Sequence, residues 1–217
     1  MSLTTIIHPS RGRPHQSYAT TTKWVARAGV PVSIVVSLDV DDIELDKYQD
    51  AYQPCNPGRL IHAMILTSEN RSAIDAINNA MKVATGDIFI IVSDDTDCPQ
   101  NWAVKLEAAC KGLHDFVMKT TDGIQRKMIT MPIFDRAYYN RDGYVYNPEY
   151  KHLFADTEYS EVAYKRKRVV KKFGLKFPHN HYSVMKRPPD GIHIRNEATY
   201  AQGKEVYTRR QKINFGL

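Results

Sequence analysis

Four short runs, LTTIIH (residues 3 to 8), VSIVVSL (32 to 38), LIHAMILT (60 to 67) and IFIIV (88 to 92), are apolar and β-branched almost without interruption. Each is stopped by polar residues, Pro or Gly, so each reads as a short strand. Strands with no polar face are covered on both sides, the situation of parallel α/β sheets. The segments between them supply the cover. In HQSYATTTKWVARAG, Trp24, Val25 and Ala28 fall on one helical stripe and Gly29 ends it, while in residues 69 to 85 Ile74, Ile77, Met81 and Ala84 recur at helical spacing before Gly86. Strand, helix, strand, repeated, predicts parallel crossovers and an open doubly wound sheet.

The 217 residues are enough for one sizeable core, and 42% hydrophobic with 25% charged residues is the balance of a folded globular domain. No apolar run reaches bilayer-spanning length, and MSLTTIIHPSRGRP lacks a basic region followed by a long apolar stretch, so a cytoplasmic location is the expectation. Cys55, Cys98 and Cys110 form no Cys-x-x-Cys pair and are expected to be buried reduced thiols. A net charge of +6 favours a polyanionic neighbour.

In doubly wound sheets the ligand site lies beyond the carboxyl ends of the strands. PSRGRP follows the first run, DVDD the second and SDDTD the fourth. Crowded carboxylates repel unless a cation or hydrogen-bond donors compensate, and Mg²⁺ or Mn²⁺ prefers such hard oxygen donors together with the phosphates of a substrate. An acidic turn, or Asp97 capping a helix that begins at Pro99, accounts for the same residues without a metal. Neither Gly-x-x-x-x-Gly-Lys nor Gly-x-Gly-x-x-Gly is present, which argues against P-loop and dinucleotide enzymes.

The order TTIIHPSRGRP, VSIVVSLDVDD, NRSAIDAINNAMKVATGDIFIIVSDDTDCPQNW and FADTEYSEVAYK resembles that of the inverting family 2 nucleotide-sugar glycosyltransferases. The resemblance implies an α/β fold: a single glycosyltransferase A domain over residues 1–217, Rossmann-like, with an open, mostly parallel sheet flanked by helices. Residues 1–114 would bind the nucleotide-sugar, and 115–217 the acceptor. It further implies that Pro9, Ser10, Arg11 and Arg13 frame the nucleotide, that Asp39 bonds the base, and that Arg71 lies near the nucleotide. Asp94 would sit by the ribose and Asp95 on Mn²⁺ or Mg²⁺. Asp95-Thr96-Asp97 is a second Asp-x-Asp, so Asp97 is an alternative ligand, and FPHNHYSV offers His179 or His181, with His181 preferred, to complete the shell. Asp156 is the counterpart of the base that deprotonates the acceptor hydroxyl, and as Asp before Glu158 it is equally a plain helix N-cap. The implied donor is a nucleoside diphosphate sugar, a UDP-sugar first, and the acceptor a glycan, glycolipid or nucleic acid.

Residues 156 to 173 are expected to be one helix carrying the basic run YKRKRVVKKFGLK, either as a solvated face or as a track for a polyanion. Tyr138, Tyr139, Tyr144, Tyr146 and Tyr150 lie upstream as candidate stacking groups, strands are expected at HDFVMKT and KMITMPIF, and loops from 174 to 217. A nucleotidyltransferase, or a nucleic-acid-binding module without catalysis, are the rival functions.

Overall fold

The computed structural model describes residues 3–52, 60–186 and 188–217, so Cys55 lies outside the described residues. Seven strands, β1 (Thr4–Pro9), β2 (Val32–Asp39), β3 (Leu60–Ser68), β4 (Ile88–Ile91), β5 (Val117–Thr121), β6 (Ile133–Asp135) and β7 (Val169–Lys176), form one sheet in the order β3-β2-β1-β4-β6-β5-β7. β6 is antiparallel to both its neighbours, and every other pairing is parallel. The helices are α1 (Pro14–Ala26), α2 (Leu45–Tyr52), α3 (Ala73–Val83), α4 (Trp102–Cys110), α5 (Arg136–Tyr139), α6 (Ala155–Lys165), α7 (Gly191–Glu197) and α8 (Tyr200–Lys212). This is the mixed, mostly parallel α/β sheet expected from the strand runs.

Successive side chains of a strand point to opposite faces, and in β1, β2 and β4 both faces are dry, whereas β3, expected to be covered like them, is a half-solvated edge strand with Ile61 and Ile65 exposed. Ile6, Ile34, Val36 and Ile90 pack on one side with Trp24 of α1 and Trp102 of α4, while Ile7, Val35, Phe89 and Ile91 pack on the other with Ile74, Ile77 and Met81 of α3. Each such side chain contributes roughly 1.5–3 kcal/mol by leaving water, which is why polar alternation is missing from these runs. Pro14 opens α1, where its missing N–H costs nothing, and the Ser72 hydroxyl caps α3 by accepting from the Asp75 N–H. Gly86 turns the chain from α3 into β4 at φ +114°, and a Cβ there would stand 2.7 Å from the Leu3 carbonyl oxygen. Cys98 and Cys110 are free and buried, and burial pushes both thiols up to about 12.

Three expectations for the second half are corrected. The helix expected to reach residue 173 stops at Lys165; Lys167 turns at φ +56°, and the chain returns as β7, a sheet edge. Val169 and Val170 favour a strand there, and a register shift lets the segment before Lys176 bulge from β5. The strand expected from Lys127 shrinks to Ile133–Asp135, just beyond Pro132, which has no N–H for a ladder. The tail expected as loops forms α7 and α8. Helix formers fill α8 although it buries only Gly203, Val206 and Arg210, and Asp190 with His193 forms a capping box on α7.

Candidate active site

β1, β2, β4 and β5 all release their chains at one edge of the sheet, where Ser10, Asp39, Asp94 and Asp122 are buried. The loop after β1 is held from beneath. The Ser10 hydroxyl lies 3.0 Å from Asp94 Oδ1 and 2.8 Å from the Tyr48 hydroxyl, and that hydroxyl accepts from the Arg13 N–H at 2.9 Å. Gly12, at φ +65°, donates its N–H to Asp42 Oδ2 at 2.7 Å. The carboxylate of Asp94 also faces His8 Nε2 at 3.1 Å and an Arg13 guanidinium nitrogen at 3.8 Å. Asp94 is thus enclosed by donors of the first-strand loop.

Asp39, at the end of β2, accepts from Arg11 at 2.6 Å and from the Asn70 amide at 2.9 Å. Asp41 takes the other face of the same guanidinium, and its hydrogen bonds hold Arg11 above its ordinary range. Arg13 reaches outward to Asp190, with Nε and Nη2 donating to Oδ2 at 3.0 and 2.5 Å, so α7 is latched over the first-strand loop. Pro9 is the last residue of β1.

The acids at 94 to 97 separate. Asp95 turns away from Asp94 and meets His179 Nε2 at 3.1 Å, with the Ser93 hydroxyl donating to its other oxygen at 2.6 Å. Burial alone would raise the Asp95 carboxyl, but the His179 bond and charge and the Ser93 bond outweigh it, holding the group well below the carboxylate range. His179 responds in kind: burial lowers it, Asp95 raises it, and the net shift is upward, with Asp122 and Asp156 adding negative potential. Asp97 faces Arg27 at 3.2 Å and Lys23 at 3.4 Å, both at the C-terminal end of α1 or just past it. It caps no helix, since α4 begins after Asn101.

His179 reaches Asp95 because the segment before it is anchored. Phe177 is fully buried and stacks on Trp24 at 5.4 Å, a contact worth about 0.5–1.5 kcal/mol beyond its area. Backbone bonds from Asp97 N to Pro178 O and from Asn180 N to Asp95 O then lay this segment along the acidic loop, and His179 N donates to Asp122 O. The His181 ring lies 5.4 Å from that of His179 and 5.7 Å from that of His193, and makes its ring hydrogen bond to Ser183. Of the two, His179 is the one joined to Asp95. Among the described residues no three His, Cys, Asp or Glu side chains are disposed to enclose a metal ion.

Asp156 stands in the first turn of α6, after Phe154 has entered the left-handed region at φ +73°. Its side chain is half-buried; desolvation raises the carboxyl above the ordinary carboxylate range, opposed by its own and the Thr157 N–H and by the charge of His179. Arg71 lies apart: it is exposed and forks onto Asp75 one turn along α3, at 2.7 and 3.0 Å. Tyr138, Tyr146 and Tyr150 are buried in the core, so they present no stacking face.

Two residues that sequence reasoning passed over belong to this edge. Asp122 ends β5 as Asp39 ends β2, and accepts from the Ile124 and Gln125 N–H groups, both at 2.9 Å. The strand-end rule that found Asp39 applies equally to it. Asp190 has no local signal, because it meets Arg13 across 177 positions of sequence.

Neither protein-family profiles nor the sequences of curated proteins match the chain. Solved structures do share its fold. S. aureus TarS, residues 1–349, superposes with a TM-score of 0.65 at 15% identity over 81% of this chain and 59% of that one. The same protein in complex with UDP-GlcNAc gives 0.63 at 16% identity, over 88% and 60%. The mannosyltransferase PcManGT from Pyrobaculum calidifontis, in complex with GDP-Man and Mn2+, gives 0.64 at 15% identity, covering 96% of this chain and 64% of that one. The chain thus spans about three fifths of these three chains and 38% of the longer TarS structure, and its fold is one shared by glycosyltransferases.

Proposed function

We propose that the protein is a metal-dependent, inverting glycosyltransferase that moves a sugar from a nucleoside diphosphate sugar to a hydroxyl acceptor. The observation that carries this reading is the placement of Asp94 and of the Asp95–His179 pair at one end of the sheet, with Asp156 close enough to act on His179 by its charge, in a fold shared with proteins solved with UDP-GlcNAc or GDP-Man. Buried and half-buried acids on separate elements brought to one end of the sheet are what a positioned phosphate and cation require.

Asp95 and His179 are the residues that would hold Mn²⁺ or Mg²⁺. Their facing O and N atoms are 3.1 Å apart, close to the ~3 Å that separates two neighbouring ligands of an octahedral ion with ~2.1 Å bonds. A donor diphosphate supplies further oxygens, which suits a site with few protein ligands. When bound, the cation offsets the charge that grows on the departing diphosphate. Asp94 and Asp39, fixed by the first-strand loop and by Asn70, are the acceptors for ribose and base, and Arg13 is the donor nearest a phosphate. Asp97, spent on Lys23 and Arg27, and Arg71, paired with Asp75, are left out of these roles. His181 is kept for a contact outside the Asp95 pair.

Asp156 is the base. Half-buried at the start of α6 and close enough to His179 to feel its charge, it is a carboxylate of raised proton affinity, which supports the role of accepting the acceptor hydroxyl's proton, and such a group contributes typically 10²–10⁴-fold. The test is thermal shift and donor hydrolysis over a panel of UDP- and GDP-sugars, with and without Mn²⁺. A stabilisation that needs both nucleotide and Mn²⁺, and that Asp95→Ala removes, is the expected result. No response to any nucleoside diphosphate overturns the reading.

A further inference from the structure

The basic run is only partly neutralised by the fold, and what is left over has a direction. Residues 1–114 carry ten Lys and Arg against thirteen Asp and Glu, a net −3; residues 115–217 carry twenty against eleven, a net +9. Of the seven cations between Lys165 and Lys176, Arg166 is bound to Asp142, Arg168 to Asp115, and Lys165 to Asn214 with its ammonium over the Phe215 ring. Among the described residues Lys167, Lys171, Lys172 and Lys176 have no acidic partner, and the last three lie on β7, the edge of the sheet. Phe173 stands among them with half its surface exposed.

The line they form leads to the candidate site. Lys176 pairs in register with Thr121, the loop after Thr121 exposes Arg126 and Lys127, and His179 follows Lys176 by three residues. Five residues of strand span at most about 17 Å. Lys171 and Phe173 follow Val169 on one face of this edge strand and Lys172 follows Val170 on the other, so the charge straddles an exposed rim, which fits a chain laid along the edge better than a plane and favours a polymer over a membrane. An aromatic ring within the row is what unpaired bases stack on, in the manner of single-strand grooves.

We propose that the β7 edge is a docking track for single-stranded nucleic acid, whose phosphates lie along Lys171, Lys172 and Lys176 with a base on Phe173. That the strand held there is also the glycosyl acceptor rests on the function proposed above; the binding itself does not.

Fluorescence anisotropy of a labelled 20-nucleotide oligo-dT in ~50 mM salt tests it. The protein is expected to bind with log affinity falling linearly in log salt, and Lys171→Glu/Lys172→Glu/Lys176→Glu to weaken binding at least tenfold and flatten the slope by about 2. Phe173→Ala is expected to cost about tenfold with the slope unchanged. Each variant should melt like the parent and keep its response to UDP or GDP with Mn²⁺, so that failure here and failure of the donor reading are separate results. No binding by the parent protein, or equal binding by the triple variant, overturns the proposal. Lysine-dependent binding to phosphatidylserine vesicles without oligonucleotide binding overturns it too, and gives the surface to a lipid.

Discussion

The two halves of the sheet edge position their acids by different means. Asp39 and Asp94 are fixed by neighbours within the first half of the chain: Ser10, Arg11, Arg13 and Asn70 sit on loops that leave adjacent parallel strands. Asp156 stands on a helix, in the first turn of α6. The helix and the loop leading into it are braced by α8, more than forty residues later: the Thr199 hydroxyl accepts from Leu153 N, Tyr200 and Tyr207 pack on Phe154, and Arg210 binds Glu158. Acids in the first half of the chain follow from topology, whereas the acid in the second half depends on a tertiary clamp. Damage to the clamp should therefore strike turnover and leave nucleotide binding alone.

The largest effect should come from the acid itself. Asp156→Asn is expected to lower sugar transfer by about 10²–10⁴-fold while the thermal shift produced by nucleotide and Mn²⁺ persists. Equal losses in both would place Asp156 with the donor acids and erase the contrast. Next is the clamp's ion pair. Arg210 Nε donates to both oxygens of the buried Glu158 at 2.9 and 2.8 Å, and Glu158 also accepts from the Tyr150 hydroxyl at 2.8 Å. Arg210→Met leaves that carboxylate buried without its cation and should cost about 3–5 kcal/mol in urea unfolding.

Gly203→Ala probes the same clamp more gently. A Cβ on Gly203 would stand 2.3 Å from the Leu153 carbonyl oxygen and 3.1 Å from Phe154 Cδ2, so α8 or the loop must shift. About 1–3 kcal/mol of stability should be lost, and kcat should fall with KM for the donor unchanged. A variant with parental kcat would show that the loop holds Asp156 without α8.

What is legible in the amino-acid sequence follows the same division. Strands β1 to β4 announce themselves as apolar runs, although only β1, β2 and β4 are dry and β3 is a solvated edge, and the strand-end rule then points to Ser10, Asp39 and Asp94 from residue order alone. The rule does not say which way a side chain turns. Asp95 and Asp97 are equivalent as sequence, yet one meets His179 and the other Arg27. Arg71 has an acid four residues on, and that local partner takes it. In the second half the pattern itself misleads. α8 is a helix with almost no apolar stripe, and β7 is half solvated as an edge strand, so neither shows the periodicity by which elements are recognised.

The smallest expected effect separates the fold's interest from that of catalysis at one atom group. Burial raises the Asp156 carboxyl in the folded protein, so the folded state holds that proton more tightly than the unfolded chain. The stability linked to this proton is fully present below the unfolded value, about 3.9, and is lost as pH rises through the folded one. At neutral pH the protein therefore carries a desolvated charge that Asn would not. Asp156→Asn should consequently raise Tm slightly at pH 7 to 8, with the gain shrinking to nothing as pH falls below about 4, even as transfer is lost. The parental rate should correspondingly fall on the acid side at a pH above the ordinary carboxylate range. A variant that melts lower than its parent at pH 7 would mean that the carboxylate's bonds to the α6 N–H groups outweigh its burial, and Asp156 would then be a cap first and a base second.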